Sequence, residues 1–276
     1  MNDIIIITVH YNKIEYTQNF VESVCNNIFS EKTSIIIVNN DLEKNSQQKL
    51  EEMVSKYDFE IELLNPEQNL YYWRGAALGL DYISNKYPTF NGWIIICNND
   101  IQFDYQFFKN IRNKNVSQYH VIAPRIISKK DDRDQNPFLV RPLSLLYRIY
   151  FRLYVLNKWL SKLFHFVSTI LNKLFIKQQS QRGGNKPREI YAPHGSCIIF
   201  SKRFFNNGGY LDTGFTMYGE EISTAEIARN NNMQVMYLPD LIVLHDEHKS
   251  TDQFSWPIYF AHVRSTYRHL FKTYSI

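Results

Sequence analysis

The chain has 276 residues, 44% hydrophobic and 21% charged, with only 10 Gly and 9 Pro. That is enough for one large core or a core plus an insertion, and it excludes disordered, collagenous and low-complexity classes. The formal charge of +4 hides a division: ten of the 31 basic residues and none of the 27 acidic ones lie between Arg141 and Arg188, so the remainder is net acidic.

Three cysteines, Cys25, Cys97 and Cys197, are odd in number and lack metal-ligand spacing, which argues for a reducing compartment and against a zinc site. Met1-Asn2-Asp3 carries an acid where a signal peptide carries positive charge, and no run approaches about 18 apolar residues. The expectation is a cytoplasmic protein.

Residues 4–9 form an apolar β-branched run that predicts a strand. Residues 15–28 have helical spacing at Phe20, Val24 and Ile28, and 34–38 predict a second strand. A helix over about 46–57, a strand over 61–64, a helix over about 75–87 and a strand over 93–97 continue the alternation. Four strands separated by helices predict a parallel sheet covered on both faces. Each strand runs into polar residues: His10-Tyr11-Asn12, Asn39-Asn40-Asp41, the segment from Asn65 to Asn69, and Asn98-Asn99-Asp100. In an open α/β sheet that edge is where ligands bind.

The last of these runs delivers one carboxylate, Asp100, and two carboxamides from a buried strand. A divalent cation holding a diphosphate needs such hard oxygen ligands, although Asn and Asp also serve simply to turn a chain. Farther on, Gly208-Gly209-Tyr210-Leu211-Asp212 and Tyr218-Gly219-Glu220-Glu221 precede an amphipathic helix running to about Asn230. Paired acids at a helix start also suit the macrodipole without any catalytic role. Apolar runs at 235–238 and 241–244 flank Pro239-Asp240 and end in His245, which either ligates a metal through a neutral imidazole or merely closes a strand.

In this order the pieces resemble the family-2 glycosyltransferases with the GT-A fold, in particular the bacterial surface-polysaccharide branch of rhamnosyltransferase-like enzymes. The matching residues are Thr8, Tyr11 and Asn12; Val38-Asn39-Asn40; Asn69; Asn98-Asn99-Asp100; Gly195 before the apolar 197–200 and Arg203; the Gly-Gly-Tyr-Leu-Asp run; Tyr218-Gly219-Glu220-Glu221; and Tyr237-Leu238-Pro239 leading to His245. The resemblance implies a Rossmann-like nucleotide-binding half with a mainly parallel sheet. The GT-A domain would comprise residues 1–135 and 189–276, with a helical basic insertion at 136–188. It implies a nucleotide-diphosphate sugar held near Thr8, His10, Tyr11, Asn12, Asn39, Asp41, Asn69, Asn98 and Asn99, and Mg²⁺ or Mn²⁺ on Asp100 and His245. Glu221 would act as the base of an inverting transfer to a glycan or lipid-linked acceptor, with Glu220 as its neighbour. Arg74, at a helix start, offers a cationic contact to phosphate or a solvated surface charge.

Several positions depart from the family pattern. Asn39 stands where such enzymes usually carry Asp, Tyr71 where glycine follows Asn69, and Asn98 where the first carboxylate of a DxD motif belongs. Glu221 replaces a common Asp, while Ser223 and Ile227 replace polar residues. These substitutions motivate an alternative, a catalytically silent GT-A scaffold subunit. A sugar nucleotidyltransferase is less supported, because no Gly-rich, Lys/Arg-bearing loop follows the first strand.

Between Leu143 and Ile176 nearly every third or fourth residue is apolar, among them Tyr147, Tyr150, Phe151, Tyr154, Trp159, Phe164, Phe166 and Phe175. Lys158, Lys162, His165, Thr169, Lys173 and Lys177 fall on one helical face. That makeup predicts contact of 143–177 with an anionic membrane surface at the inner face of the plasma membrane. The competing reading is a helical hairpin packed on the core or on a second copy of the chain as a homodimer. Nucleic acid is not an expected partner, since aliphatic residues interrupt any stacking platform. Residues 178–187 read as a flexible return.

Overall fold

Every residue of β1 (Ile4–His10) and β2 (Thr33–Asn39) is buried, as β-branched runs must be when helices cover both faces of a parallel sheet. The structure, a computed structural model, describes residues 3–157, 159, 161, 162, 184–247 and 255–276. β1 and β2 alternate with α1 (Ile14–Cys25) and α2 (Ser46–Val54), followed by β3 (Ile61–Leu64), α3 (Tyr71–Lys86) and β4 (Trp93–Asn98). All four strands pair in parallel, in the order β3-β2-β1-β4. Period-two alternation splits the core in two. Ile5, Ile7 and Val9 pack with Trp73 and Ala76 on one face; Ile4 and Ile6 pack with Phe20, Val21 and Val24 on the other. A Cβ on Gly79 would lie 2.7 Å from Ile7, so glycine there lets α3 sit directly on β1.

The chain continues through β5 (Ile101–Phe103), α4 (Phe107–Arg112), β6 (Val121–Ser128), α5 (Leu145–Tyr154), β7 (Arg188–Ile190) and β8 (Cys197–Ser201). α6 (Lys202–Asn206), α7 (Glu220–Asn230), β9 (Val235–His245) and α8 (Trp256–Tyr274) complete it. The described strands form one sheet, ordered β3-β2-β1-β4-β8-β6-β9-β5, with β7 on β9. β8 is antiparallel to β4 with Cys197 opposite Cys97, and β6 and β9 are parallel. The result is a mixed α/β fold whose first half, β1 to β4, is wholly parallel.

Several boundaries differ from the sequence expectation. α1 stops at Cys25, and Ile28 is 63% exposed, because the Asn27 side chain accepts from the Phe29 amide and turns the chain. α2 ends at Val54 rather than near 57. α3 begins four residues early, at Tyr71, because the Asn69 side chain accepts the Tyr71 amide and Asn40 accepts that of Leu70. The runs at 235–238 and 241–244 are one strand: the register with β6 shifts between Pro124 and Arg125, so residues 239–241 bulge.

The expectations include no helix after His245, yet α8 forms there. Pro257 lies in its first turn, and Phe260, Val263, Thr266, Leu270 and Tyr274 are buried at three- and four-residue spacing. Of the expected basic helix, α5 is described. Lys158, Phe164, His165, Phe166, Thr169, Lys173, Phe175 and Lys177 lie outside the described residues, as do 178–183. No helix among the described residues is long and apolar enough to cross a membrane.

Candidate active site

The C-terminal ends of β1 and β2 bring most of the expected donor-binding residues together, with their side chains in unequal situations. Thr8 and His10 are buried on the α1 side of the sheet. His10 Nδ1 lies 2.7 Å from Thr17 Oγ1, and burial, opposed by Asp41, lowers its pKa to about 4. The accessible surface here belongs instead to Tyr11 and to Asn12, whose φ is 72°.

Asn39 is also committed internally. Its amide donates to Asn65 Oδ1 at 3.0 Å, and its oxygen accepts from Ser46 Oγ and the Asp41 amide, both at 3.1 Å. It acts as a staple between the β2 and β3 ends. Asp41 is half-buried and caps the Glu43 amide at 3.0 Å. Asn99 donates to Thr17 Oγ1 at 2.9 Å. Arg74 donates from Nε to the Thr213 carbonyl at 2.9 Å, tying α3 to the loop before α7.

Asp100 and His245 meet: His245 Nε2 stands 3.3 Å from Asp100 Oδ1, because Ile101 of β5 pairs with His245 of β9. His245 Nδ1 lies 2.7 Å from Gln135 Oε1, while Gln135 Nε2 donates to Glu247 Oε1 at 2.8 Å. With its amide thus oriented, Gln135 accepts from Nδ1–H, which leaves Nε2 facing the Asp100 carboxylate. A carboxylate and an imidazole are donor types that would hold a divalent cation. No group of three His, Cys, Asp or Glu with metal-holding geometry occurs among the described residues, so among them this pair is the candidate.

The second focus is the start of α7. Glu220 accepts the Gly219 amide at 2.9 Å, and Glu221 accepts the Gly195 amide at 3.3 Å. Burial raises the pKa of Glu220, and burial together with the Glu220 charge pushes Glu221 well above the usual carboxylate range. Two adjacent buried carboxyls resist joint ionisation. A Cβ on Gly195 would stand 2.6 Å from Glu220 Cγ and 2.9 Å from Glu221 Oε1, so glycine alone permits this approach.

One short segment joins the two foci. Asn98 donates its amide to the Ser196 carbonyl at 2.9 Å at the end of β4. The Tyr72 hydroxyl donates to the Gly195 carbonyl at 2.9 Å, and the His194 ring lies 6.2 Å from that of His245. Burial, then His245, lowers the His194 pKa to about 3, so this imidazole is neutral. Residues 194–196 thus have Asp100 and His245 on one flank and Glu220 and Glu221 on the other.

The sheet that carries these groups, a parallel β1–β4 half continued by mixed strands, has the GT-A fold of glycosyltransferases. The chain belongs to the family described as Glycosyl transferase family 2, which it matches over residues 5–209. α7 and α8 follow the matched region. Among solved structures, GalNAc-T7 with UDP, GalNAc and Mn²⁺ is similar at a TM-score of 0.64 and 12% identity, covering 98% of this chain and 48% of that one. TarS of S. aureus is similar at a TM-score of 0.55 and 13% identity, covering 89% and 37%. The chain therefore spans about half or less of the structures it matches. No curated protein matches it in sequence.

The sequence reading placed Asn40 in a matching strand end without a role of its own, and it did not single out Gln135, His194 or the α8 residues. Asn40 is buried, accepts the Leu70 amide and donates to the Tyr71 carbonyl at 2.7 Å. Tyr71 has a φ of 59°, the left-handed conformation that a glycine adopts without strain, and its ring packs edge-on to His262 of α8 at 5.4 Å. From α8, Thr266 also donates to the Met217 carbonyl at 2.6 Å. The signal for α8 lay in the spacing of Phe260, Val263 and Leu270; nothing local marks Gln135.

Proposed function

We propose that this glycosyltransferase moves a sugar from a nucleotide-diphosphate donor to a hydroxyl of a glycan or lipid-linked acceptor, with inversion, in surface-polysaccharide biosynthesis. The observation that carries this reading is the placing of Asp100–His245 and Glu220–Glu221 on opposite flanks of residues 194–196. In a single displacement, one positioned base suffices. Glu221, in its ionised form, takes the proton of the acceptor hydroxyl as that oxygen attacks the anomeric carbon from the face opposite the diphosphate, and the Gly195 amide holds the carboxylate in place.

A divalent cation, Mg²⁺ or Mn²⁺, would be held by Asp100 and His245 and would supply charge neutralisation for the departing diphosphate. The Mn²⁺ in the similar GalNAc-T7 structure supports this choice of ion. Tyr11, Asn12 and Asp41 are the residues at the strand edge best exposed to a donor nucleotide. The enzyme would work in the cytoplasm, peripheral to the inner face of the plasma membrane.

Thermal-shift ranking of nucleotide sugars with Mn²⁺ tests the reading. One donor class should stabilise the parent chain only with metal, and Asp100→Ala should abolish that metal-dependent increment. Unchanged stabilisation of Asp100→Ala refutes the metal assignment, and stabilisation by no nucleotide sugar refutes the donor assignment in favour of a silent scaffold.

A further inference from the structure

α5 has two apolar faces, and the described residues cover one of them. At about 100° per residue, Tyr150, Phe151, Tyr154 and Val155 share the side turned to α8. There Tyr154 and Val155 are buried with Phe260 and Val263, and the Phe151 ring stacks on Tyr267 with centroids 4.3 Å apart. Arg152 reaches the Ile276 carbonyl at 3.4 Å and locks the pairing.

Leu145, Leu146, Ile149, Leu153 and Leu156 fall within another arc of about 100°, and all are exposed, Leu145 by 72% and Leu146 by 78%. Seven of the 15 large exposed hydrophobics among the described residues lie between Leu145 and Trp159, so this is one patch rather than scattered surface residues. A water-facing helix face is ordinarily polar. Here the seam between the two faces carries Arg148 and Arg152, exposed Arg141 and Lys162 lie to either side, and no acid occurs between Asp134 and Glu189.

We infer that the uncovered face of α5 is a docking surface for an anionic lipid bilayer, which rests on the glycosyltransferase reading above and makes its acceptor a lipid-anchored one. Charge complementarity selects the occupant: leucines enter the headgroup boundary while arginines and lysines meet lipid phosphate. An antiparallel two-fold pairing of this face with a second copy would set arginine near arginine instead. The surface also adjoins the chemistry. Behind the docking face, on the other side of α5, Phe151 stacks on Tyr267 of α8, whose pKa is raised by burial and then by the Glu221 charge. Docking there holds the catalytic pocket beside the headgroups, where the sugar hydroxyl of an amphiphilic acceptor lies.

The test is co-sedimentation of the full chain with vesicles of phosphatidylcholine, alone or with phosphatidylglycerol. Binding should rise with phosphatidylglycerol and weaken with salt. Leu146→Asp/Leu153→Asp, which alters exposed residues only, should weaken it by about tenfold or more, and Arg141→Glu/Lys162→Glu should weaken it most at low salt. Donor-induced thermal shift should be unchanged in both variants, which shows that they fold. A parent that ignores anionic vesicles, or a double-Asp variant that binds them as the parent does, overturns the inference. So does a parent dimer that the double-Asp variant splits, since the face then belongs to a second copy. Vesicle binding without any donor response would refute the donor assignment and leave the docking surface standing.

Discussion

Gly195→Ala tests whether the carboxyl pair is held in a functional geometry or merely tolerated. The added methyl would stand 2.6 Å from Glu220 Cγ, 2.8 Å from Glu220 Oε1 and 2.9 Å from Glu221 Oε1, whereas carbon atoms pack at roughly 3.5–4.0 Å. The two side chains must therefore retreat by about 1 Å, and both can, because the crowded atoms lie toward the ends of flexible chains. Folding should lose little, about 1 kcal/mol, or about 2–4 °C in Tm for a chain of this size. Catalysis should lose much more, since a displacement of about 1 Å in a positioned group costs about 10² in rate. Nucleoside diphosphate release from the donor chosen by thermal shift is the assay, with acceptor present and absent. Turnover should fall by about 10² while donor binding is kept. A variant within about threefold of parental kcat would refute the argument that Gly195 sets the base.

The same pair gives a pH signature. Because the folded-state pKa of Glu221 is raised by burial and by Glu220, its contribution to stability is fully present below the unfolded value and is lost as pH rises through the folded one. Glu221→Gln should thus flatten the decline of Tm with rising pH above about 4.5 and reduce kcat by about 10² with donor binding intact; an unaltered Tm profile would contradict the burial. At Tyr71, φ of 59° reverses the usual helix ranking. Tyr71→Gly should be more stable than Tyr71→Ala by about 1 kcal/mol in urea unfolding, although Ala is ordinarily the better helix residue, and the opposite order would show that the backbone relaxes.

The first half of the fold is legible from residue order because its cause is local. Runs such as Ile4 to Val9 and Trp93 to Cys97 admit few readings other than buried strand, and their polar ends mark the ligand edge. The second half is not, because there the determinants are distant in sequence. Val235–His245 looks like two strands until β6 is present to hold both sides of the bulge, and Asp100 meets His245 only through the pairing of β5 with β9. The roles of Asn39 and Asn40 were hidden for a related reason. Both carboxamides stand at a strand end, yet Asn39 satisfies Asn65, Ser46 and its own turn, whereas Asn40 holds the backbone of Leu70 and Tyr71. Spacing cannot say which partners a carboxamide finds.

The departure at Tyr71 shows how the two halves are coupled. A glycine there would let α3 begin without strain; tyrosine imposes a left-handed residue, a cost of about 1–3 kcal/mol, that Asn40 and Asn69 must hold through the Leu70 and Tyr71 backbone. What that strain obtains is a ring on α8, against His262, whose Nδ1 lies 2.8 Å from Thr216 Oγ1 in the loop that leads to Glu220 and Glu221. α3 and the loop that leads to Glu220 and Glu221 are thereby tied through one C-terminal helix, the same helix that receives α5. A change on the face of α5 turned to α8, at Phe151, therefore bears directly on Tyr267 of that helix.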